Sequence, residues 1–148
     1  MPLVYAVDTN VLLRLSDRLH SQHSLVAEAI RRLRVRTIEL GYTAQNLGEF
    51  WNVSTRPVDR NGFGLSVQET RRRFKSLQQN MILLPDVEEV FHVWLRLLES
   101  HQVRGVEVHD AHLAAVLEVH GVQHLLTLNG RDFKRFTHVI PVHPGDVQ

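Results

Sequence analysis

"VYAVDTNVLLRL", residues 4–15, decides how the rest of the chain is read. A short apolar run with the look of a buried strand stops on Asp8, and Thr9 and Asn10 separate it from the next apolar segment. A carboxylate at the end of an interior strand is costly unless something pairs with it. Asp, Thr and Asn are also good helix N-caps, so Asp8 has two readings, a cap or a member of a site. The residues around the other strand ends have to separate them.

Composition narrows the field. A chain of 148 residues fits one domain, residues 1–148, with a core that needs no staples. It has no cysteine, which excludes disulfides and thiolate metal sites. No stretch approaches the ~18 apolar residues of a membrane span, and Asp8 and Arg14 interrupt any signal-peptide core. The expectation is a cytoplasmic protein that does not engage membranes. Of its seventeen basic residues, all but Lys75 and Lys134 are arginine, whose planar fork suits phosphate and carboxylate partners. "RRLRVR" (31–36) and "RRRFK" (71–75) concentrate them on helical text, either as a solvated face or as contacts to RNA or an acidic partner.

Strand-like and helix-like segments alternate. "LVYAV" precedes a helix over 9–16; residues 24–34 have helical periodicity; "RTIELGY" (36–42) is strand-like. Thr43 can cap "AQNLGEFWNV", and "STRPVDRNGFGL" is a loop by its Pro and Gly content. Ser66 with Glu69, and Asp86 with Glu89, have capping-box spacing before two further helices, with "MILL" (81–84) as a short strand between them. The helix "DAHLAAVLEVH" (110–120) stops at Gly121, and "QHLLTLN" (123–129) and "THVIPV" (137–142) complete the strands. Short apolar strands separated by helices predict an α/β chain, a three-layer α/β/α sandwich around a mostly parallel sheet. In such sheets functional groups collect beyond the carboxyl ends of the strands, near a switch in strand order.

Acids recur at the equivalent places. Glu49 lies in the helix after the second strand, among Leu47, Phe50 and Trp51; Asp110 opens a helix; Asn129 and Asp132 follow "HLLTL" directly. Each has a bland explanation: Asp110 as an N-cap, Glu49 as a surface residue, Asp132 as a turn residue or the cap of a short "FKRF" helix. Together they point to one pocket. Clustered carboxylates repel and raise one another's pKa values, which a divalent cation resolves. Hard oxygen ligands suit Mg²⁺ or Mn²⁺, which polarises a phosphoryl oxygen and lowers the pKa of bound water.

"VDTNVLL", "NLGEFW" and "VHDAHLAAVLEVHGVQHLLTLNGRDF", in that order, resemble the PIN domain, particularly the VapC-type toxins of toxin–antitoxin pairs. The resemblance runs from Val4 to about Pro141. It implies an acidic Mg²⁺ or Mn²⁺ pocket, endoribonuclease activity, an antitoxin partner and a homodimer. Asp8, Glu49 and Asp110 match the family's regular acidic positions; where it often has a fourth acid this chain has Asn129, and Asp132 can supply the charge. Thr9 and Asn10 either hold Asp8 through their side chains, the favoured reading, or only start the helix, and Thr127 either bonds a ligand or water or is a half-buried strand threonine. Arg14, Arg131 and Lys134 are candidate phosphate contacts. Water attack in line on phosphorus, with a 3′-oxygen leaving, is the expected reaction. A PIN-like domain that binds RNA or protein without cutting is the alternative.

Two other classes fit less well. "HDAH" (109–112) contains the His-Asp pair of helical metal phosphohydrolases, but these are all-helical and this chain is rich in strands. A phosphorylated receiver-like domain needs an aspartate ending the third strand and a lysine ending the last, and "MILLP" and "VIPV" supply neither. The ten histidines read as structural or surface residues, with His109, beside Asp110, the one placed to touch substrate.

Overall fold

A computed structural model describes residues 2–148. Among these residues the strands are β1 (Val4–Val7), β2 (Glu39–Tyr42), β3 (Ile82–Leu83), β4 (His124–Leu126) and β5 (Ile140–Val142). The helices are α1 (Thr9–Ser16), α2 (His23–Val35), α3 (Ala44–Thr55), α4 (Val67–Gln78), α5 (Glu88–Ser100) and α6 (Val108–His120). Every strand pairing is parallel, in the order β3-β2-β1-β4-β5. Side chains alternate across the sheet and split the core in two. Tyr5, Val7, Leu40 and Leu126 face one cluster with α1 to α4; Ala6 and Leu125 face the other with α5 and α6. The three-layer sandwich expected from the sequence is what forms, with the sheet parallel throughout.

Local chemistry explains most boundaries. Thr43 caps α3 in a reciprocal box with Asn46, and Gly121, in the left-handed conformation at φ 66°, stops α6. α6 is apolar almost all round, because Ala111, Leu113, Ala114, Ala115, Val116 and Leu117 are buried beneath α5 and against the sheet. Packing is tight enough at Gly41 that a Cβ there would lie 2.9 Å from Leu84 Cδ1.

Several expectations are corrected. β2 does not begin at residue 36, because Thr37 takes φ 58° as α2 closes, with its N–H donating to the Arg34 carbonyl. Ser66 accepts from the Glu69 N–H, but the Glu69 side chain turns to Arg72 and Arg73 and leaves the box half-made. Asp86 is no cap: α5 starts one residue later behind Val87, and the Asp86 carboxylate lies 3.1 Å from His112 Nε2. Residues 133–136 form no helix of their own; the 3₁₀ turn covers Gly130–Phe133 and holds Asp132 inside it.

The order of strands sets up the site. After β1 the chain moves to β2 and β3 on one side, then returns to β4 and β5 on the other. The switch therefore falls between β1 and β4, whose ends stand level: Val7 pairs with Leu126, and the Asp8 N–H donates to the Leu126 carbonyl at 2.9 Å.

Candidate active site

Asp8 follows β1 and Thr127 follows β4, at that switch. The Thr127 hydroxyl donates to Asp8 Oδ2 at 2.8 Å, and the Thr9 N–H donates to Oδ1 at 2.8 Å. The Asn10 amide reaches both Asp8 Oδ2 and Thr127 Oγ1 at 3.4 Å, while its carbonyl accepts from the Leu128 N–H at 3.2 Å. The Asn129 N–H closes the loop onto Thr127 Oγ1 at 3.0 Å. Capping and site membership are thus not alternatives for Asp8: it caps α1 with one oxygen and lies in the acidic pocket with the other. Thr9 departs from the expectation, since it holds Asp8 through its backbone. Its buried hydroxyl accepts from Asn46 Nδ2 at 3.0 Å and so ties α1 to α3.

Burial pushes the Asp8 carboxyl up to about 6, against the lowering effect of Thr127 and the Thr9 N–H, and the charges of Glu49 and Asp132 push it further up. Asp110 also rises to about 6, through burial first and then the charges of Asp132, Asp8, Glu49 and Glu107. The four acids named from the sequence therefore share one field. Asp110 is not an N-cap: α6 begins at Val108 and Asp110 sits in its first turn, where a negative charge favours the helix dipole. Glu49 is exposed in the second turn of α3, and its Oε1 accepts from Gln45 Nε2 at 2.8 Å.

Asp132 makes no capping bond; its N–H donates to the Asn129 carbonyl at 3.1 Å. Together with Thr127, Asn129, Arg131 and Lys134 it lines an open cleft of about 680 Å³, which brings two of the three candidate phosphate contacts beside Asp132; Asp8, Glu49 and Asp110 are not among its lining residues. Arg14 is not among the cleft's lining residues. α1 carries it about 9 Å from Asp8 along the helix axis, and its Nε is buried without a hydrogen-bond partner. Half of the basic residues in the two arginine-rich segments are paired within their own helices. Glu28 binds Arg31 and Arg32 at 2.6 and 3.0 Å, and Glu69 binds Arg72 and Arg73 at 2.6 and 3.1 Å.

Three neighbours escaped the sequence reading. Asn46 joins Thr43 to Thr9, Gln45 joins Glu49 to α6, and His112 bonds Gln45. The Gln45–Glu49 contact has a sequence signal, since residues four apart share a helix face. The contacts that cross between elements have none.

The donor set fits a hard divalent ion: carboxylates and neutral oxygens, no sulfur, and two carboxyls raised by burial and, less, by neighbouring negative charge. Among the described residues no three of His, Asp or Glu stand close enough to enclose an ion directly. Mg²⁺ is commonly held by one or two carboxylates with waters and substrate phosphate, which such an open arrangement accommodates.

Three solved structures illustrate the fold. VapBC2 from Rickettsia felis, bound to a DNA fragment from its promoter, matches with a TM-score of 0.69 at 14% identity, over 95% of this chain and 98% of that one. VapC20 of Mycobacterium tuberculosis, a sarcin–ricin loop cleaving toxin, matches with 0.65 at 19%, over 89% and 94%. VapBC-1 from nontypeable Haemophilus influenzae matches with 0.66 at 18%, over 96% and 98%. No curated protein matches by sequence. Residues 5–139, from β1 to the threshold of β5 and with Asp8, Glu49, Asp110 and Asp132 inside the span, match the PIN domain, and the chain belongs to that family.

Proposed function

We propose that this protein is a Mg²⁺- or Mn²⁺-dependent endoribonuclease, the toxin of a toxin–antitoxin pair, acting in the cytoplasm. The observation that carries the reading is Asp8, fixed by Thr127 and the Thr9 N–H at the switch in strand order, with its carboxyl and that of Asp110 raised to about 6 by burial first and then by the charges of Glu49 and Asp132. Membership of the PIN family and a fold shared with a sarcin–ricin loop cleaving toxin support RNA as the substrate. Asp8, Glu49, Asp110 and Asp132 would hold the ion, some of them through its waters since among the described residues no three converge on one point, and when bound it supplies charge for a phosphoryl oxygen and a water acidic enough to ionise near neutral pH. Thr127, Asn10 and the Thr9 N–H fix the Asp8 carboxylate so that no side-chain search precedes binding. Arg131 and Lys134, on the wall of the cleft that Asp132 lines, attract the RNA backbone toward that side of the site.

Cleavage of RNA should require added Mg²⁺ or Mn²⁺, stop with chelator and return when the ion is restored. Undiminished cleavage in excess chelator would refute the reading. The second reading, a PIN domain that binds RNA or protein without cutting, goes with the finding that among the described residues no three metal-binding side chains converge. In that case RNA binding would persist in chelator with no cleavage under any ion.

Partner surfaces belong to the same proposal. Several structures sharing the fold are toxin–antitoxin complexes. Here a groove of about 780 Å³ runs between α3, α4 and the end of β2, with Leu47, Trp51 and Phe74 on its walls and Arg71 and Lys75 at its rim. Such a surface suits an antitoxin segment with apolar and acidic residues. A homodimer is expected at micromolar concentration; sedimentation that shows only a 17.1 kDa species, with and without metal, would contradict it. No helix among the described residues is long and apolar enough to cross a membrane.

A further inference from the structure

We infer that Gln45 is a positioning residue that fixes the Glu49 carboxylate relative to Asp110, and that His112, braced by Asp86, fixes Gln45. The inference rests on the acidic pocket proposed above and adds residues outside its four acids. Glu49 is exposed on the surface of α3, and the Gln45 amide is its one hydrogen-bond partner among the described residues. The same amide nitrogen donates to the His109 carbonyl at 3.0 Å, one residue before Asp110. Gln45 therefore spans α3 and α6 and links the helices that carry two of the acids.

The two acceptors on its nitrogen side orient this amide, and its contact with His112 is then a hydrogen bond with the hydrogen on Nδ1. Its nitrogen faces two acceptors, Glu49 Oε1 and the His109 carbonyl, so its oxygen faces His112 Nδ1, at 2.5 Å. Reversal would set a carbonyl oxygen against a carboxylate and another carbonyl. His112 in turn cannot rotate freely. Its Nε2 lies 3.1 Å from Asp86 Oδ1, and the Trp94 ring packs edge-on at 4.6 Å between centroids. Trp94 is itself anchored, with its indole N–H donating to the Val108 carbonyl at 3.0 Å. A line of contacts thus runs from the end of β3 through α6 to α3.

The consequence is preorganisation. One oxygen of Glu49 is held by an amide and the other stays open to an ion or its water. A carboxylate so held does not have to give up its rotamer freedom when the ion arrives. Partners of metal-binding carboxylates commonly contribute about 10- to 100-fold to affinity or activity.

Mn²⁺ titration by calorimetry tests this without relying on turnover. Gln45→Ala should weaken Mn²⁺ binding about tenfold, and kcat on RNA should fall while KM holds. His112→Ala should do the same, and the double variant should be no weaker than the worse single, because both act through one line. His112→Asn, whose side-chain amide can donate from the place of Nδ1, should recover most of the affinity even if His112→Ala folds poorly. Unchanged affinity in Gln45→Ala, or losses that multiply in the double variant, would overturn the inference. Asp8→Asn is the reference: if it loses Mn²⁺ binding while Gln45→Ala does not, the pocket stands and the positioning role falls. If the wild-type chain takes up no Mn²⁺, both fall together.

Discussion

Asp8→Asn should lower RNA cleavage at least about a hundredfold, roughly 2.7 kcal/mol on the transition state, and at the same time make the metal-free protein more stable at neutral pH. The two effects have one cause. The folded protein holds the Asp8 carboxyl at about 6, above its ordinary 3.8, so folding favours the protonated form. Between about pH 4 and 6 the folded chain keeps a proton that the unfolded chain has lost, and stability falls as pH rises through that window. Above it the penalty is fully present. Asparagine caps a helix as well as aspartate and carries no charge; with its one oxygen on the Thr9 N–H, its amide nitrogen takes the place of Oδ2 and faces the Thr127 hydroxyl, which then accepts instead of donating. At pH 7 in chelator the variant should gain about 1–3 kcal/mol, and its thermal midpoint should lose part of the dependence on pH between 4 and 6, the share of Asp110, also raised to about 6, remaining. Mn²⁺ should raise the midpoint of the wild-type protein, because an ion that binds only the folded state stabilises it by mass action. The variant should show little of this rise. Equal cleavage by the two proteins at matched metal would remove Asp8 from the active site.

Asp132→Asn should cut turnover at least about tenfold, or 1.4 kcal/mol, and weaken Mn²⁺ binding with little change in thermal stability. The side chain makes no capping bond, so the fold has little to lose, and its charge is the largest carboxylate influence on Asp110. Asn129 sits three residues earlier and binds Thr127 through its backbone N–H, which leaves its side chain free of that duty. Asn129→Asp should therefore strengthen Mn²⁺ binding in the wild-type background and partly rescue Asp132→Asn. The turn between them is tight. Gly130 packs against Pro141, where an added Cβ would lie at 3.0 Å, so the loop has little room to rearrange when the charge moves. If Asp132→Asn instead costs about 1 kcal/mol of stability and leaves Mn²⁺ affinity unchanged, the residue serves the turn and not the ion.

Much of this protein is local and therefore legible. α1 occupies residues 9–16 because the strand ends on a good cap and the next apolar residues follow a helical period. The alternation of strand and helix puts Asp8 at the end of one strand and Asn129 and Asp132 just beyond another, and predicts the sheet, whereas Glu49 stands in the second turn of α3 and Asp110 in the first turn of α6. Local rules err where two elements compete for one side chain. Asp86 has the spacing of a cap, yet His112 on α6 offers it a partner across the fold, and Glu69 gives up its half of a box to two arginines one turn away.

Other features exist only once the chain is folded. The sequence cannot order five parallel strands, and that order is what stands Asp8 beside Thr127, 119 residues later. Nor can it show that the Thr9 hydroxyl turns to Asn46, or that Gln45 couples Glu49 to α6. Arg14 is close to Asp8 in sequence and is carried away by the rise of a helix, whereas Asp110 is a hundred residues distant and shares Asp8's field. Residue type and spacing determine which groups are able to bind a hard cation. Distance decides which of them do, because Coulomb energy and hydrogen bonding fall off over a few ångströms and only the packed sheet sets those separations.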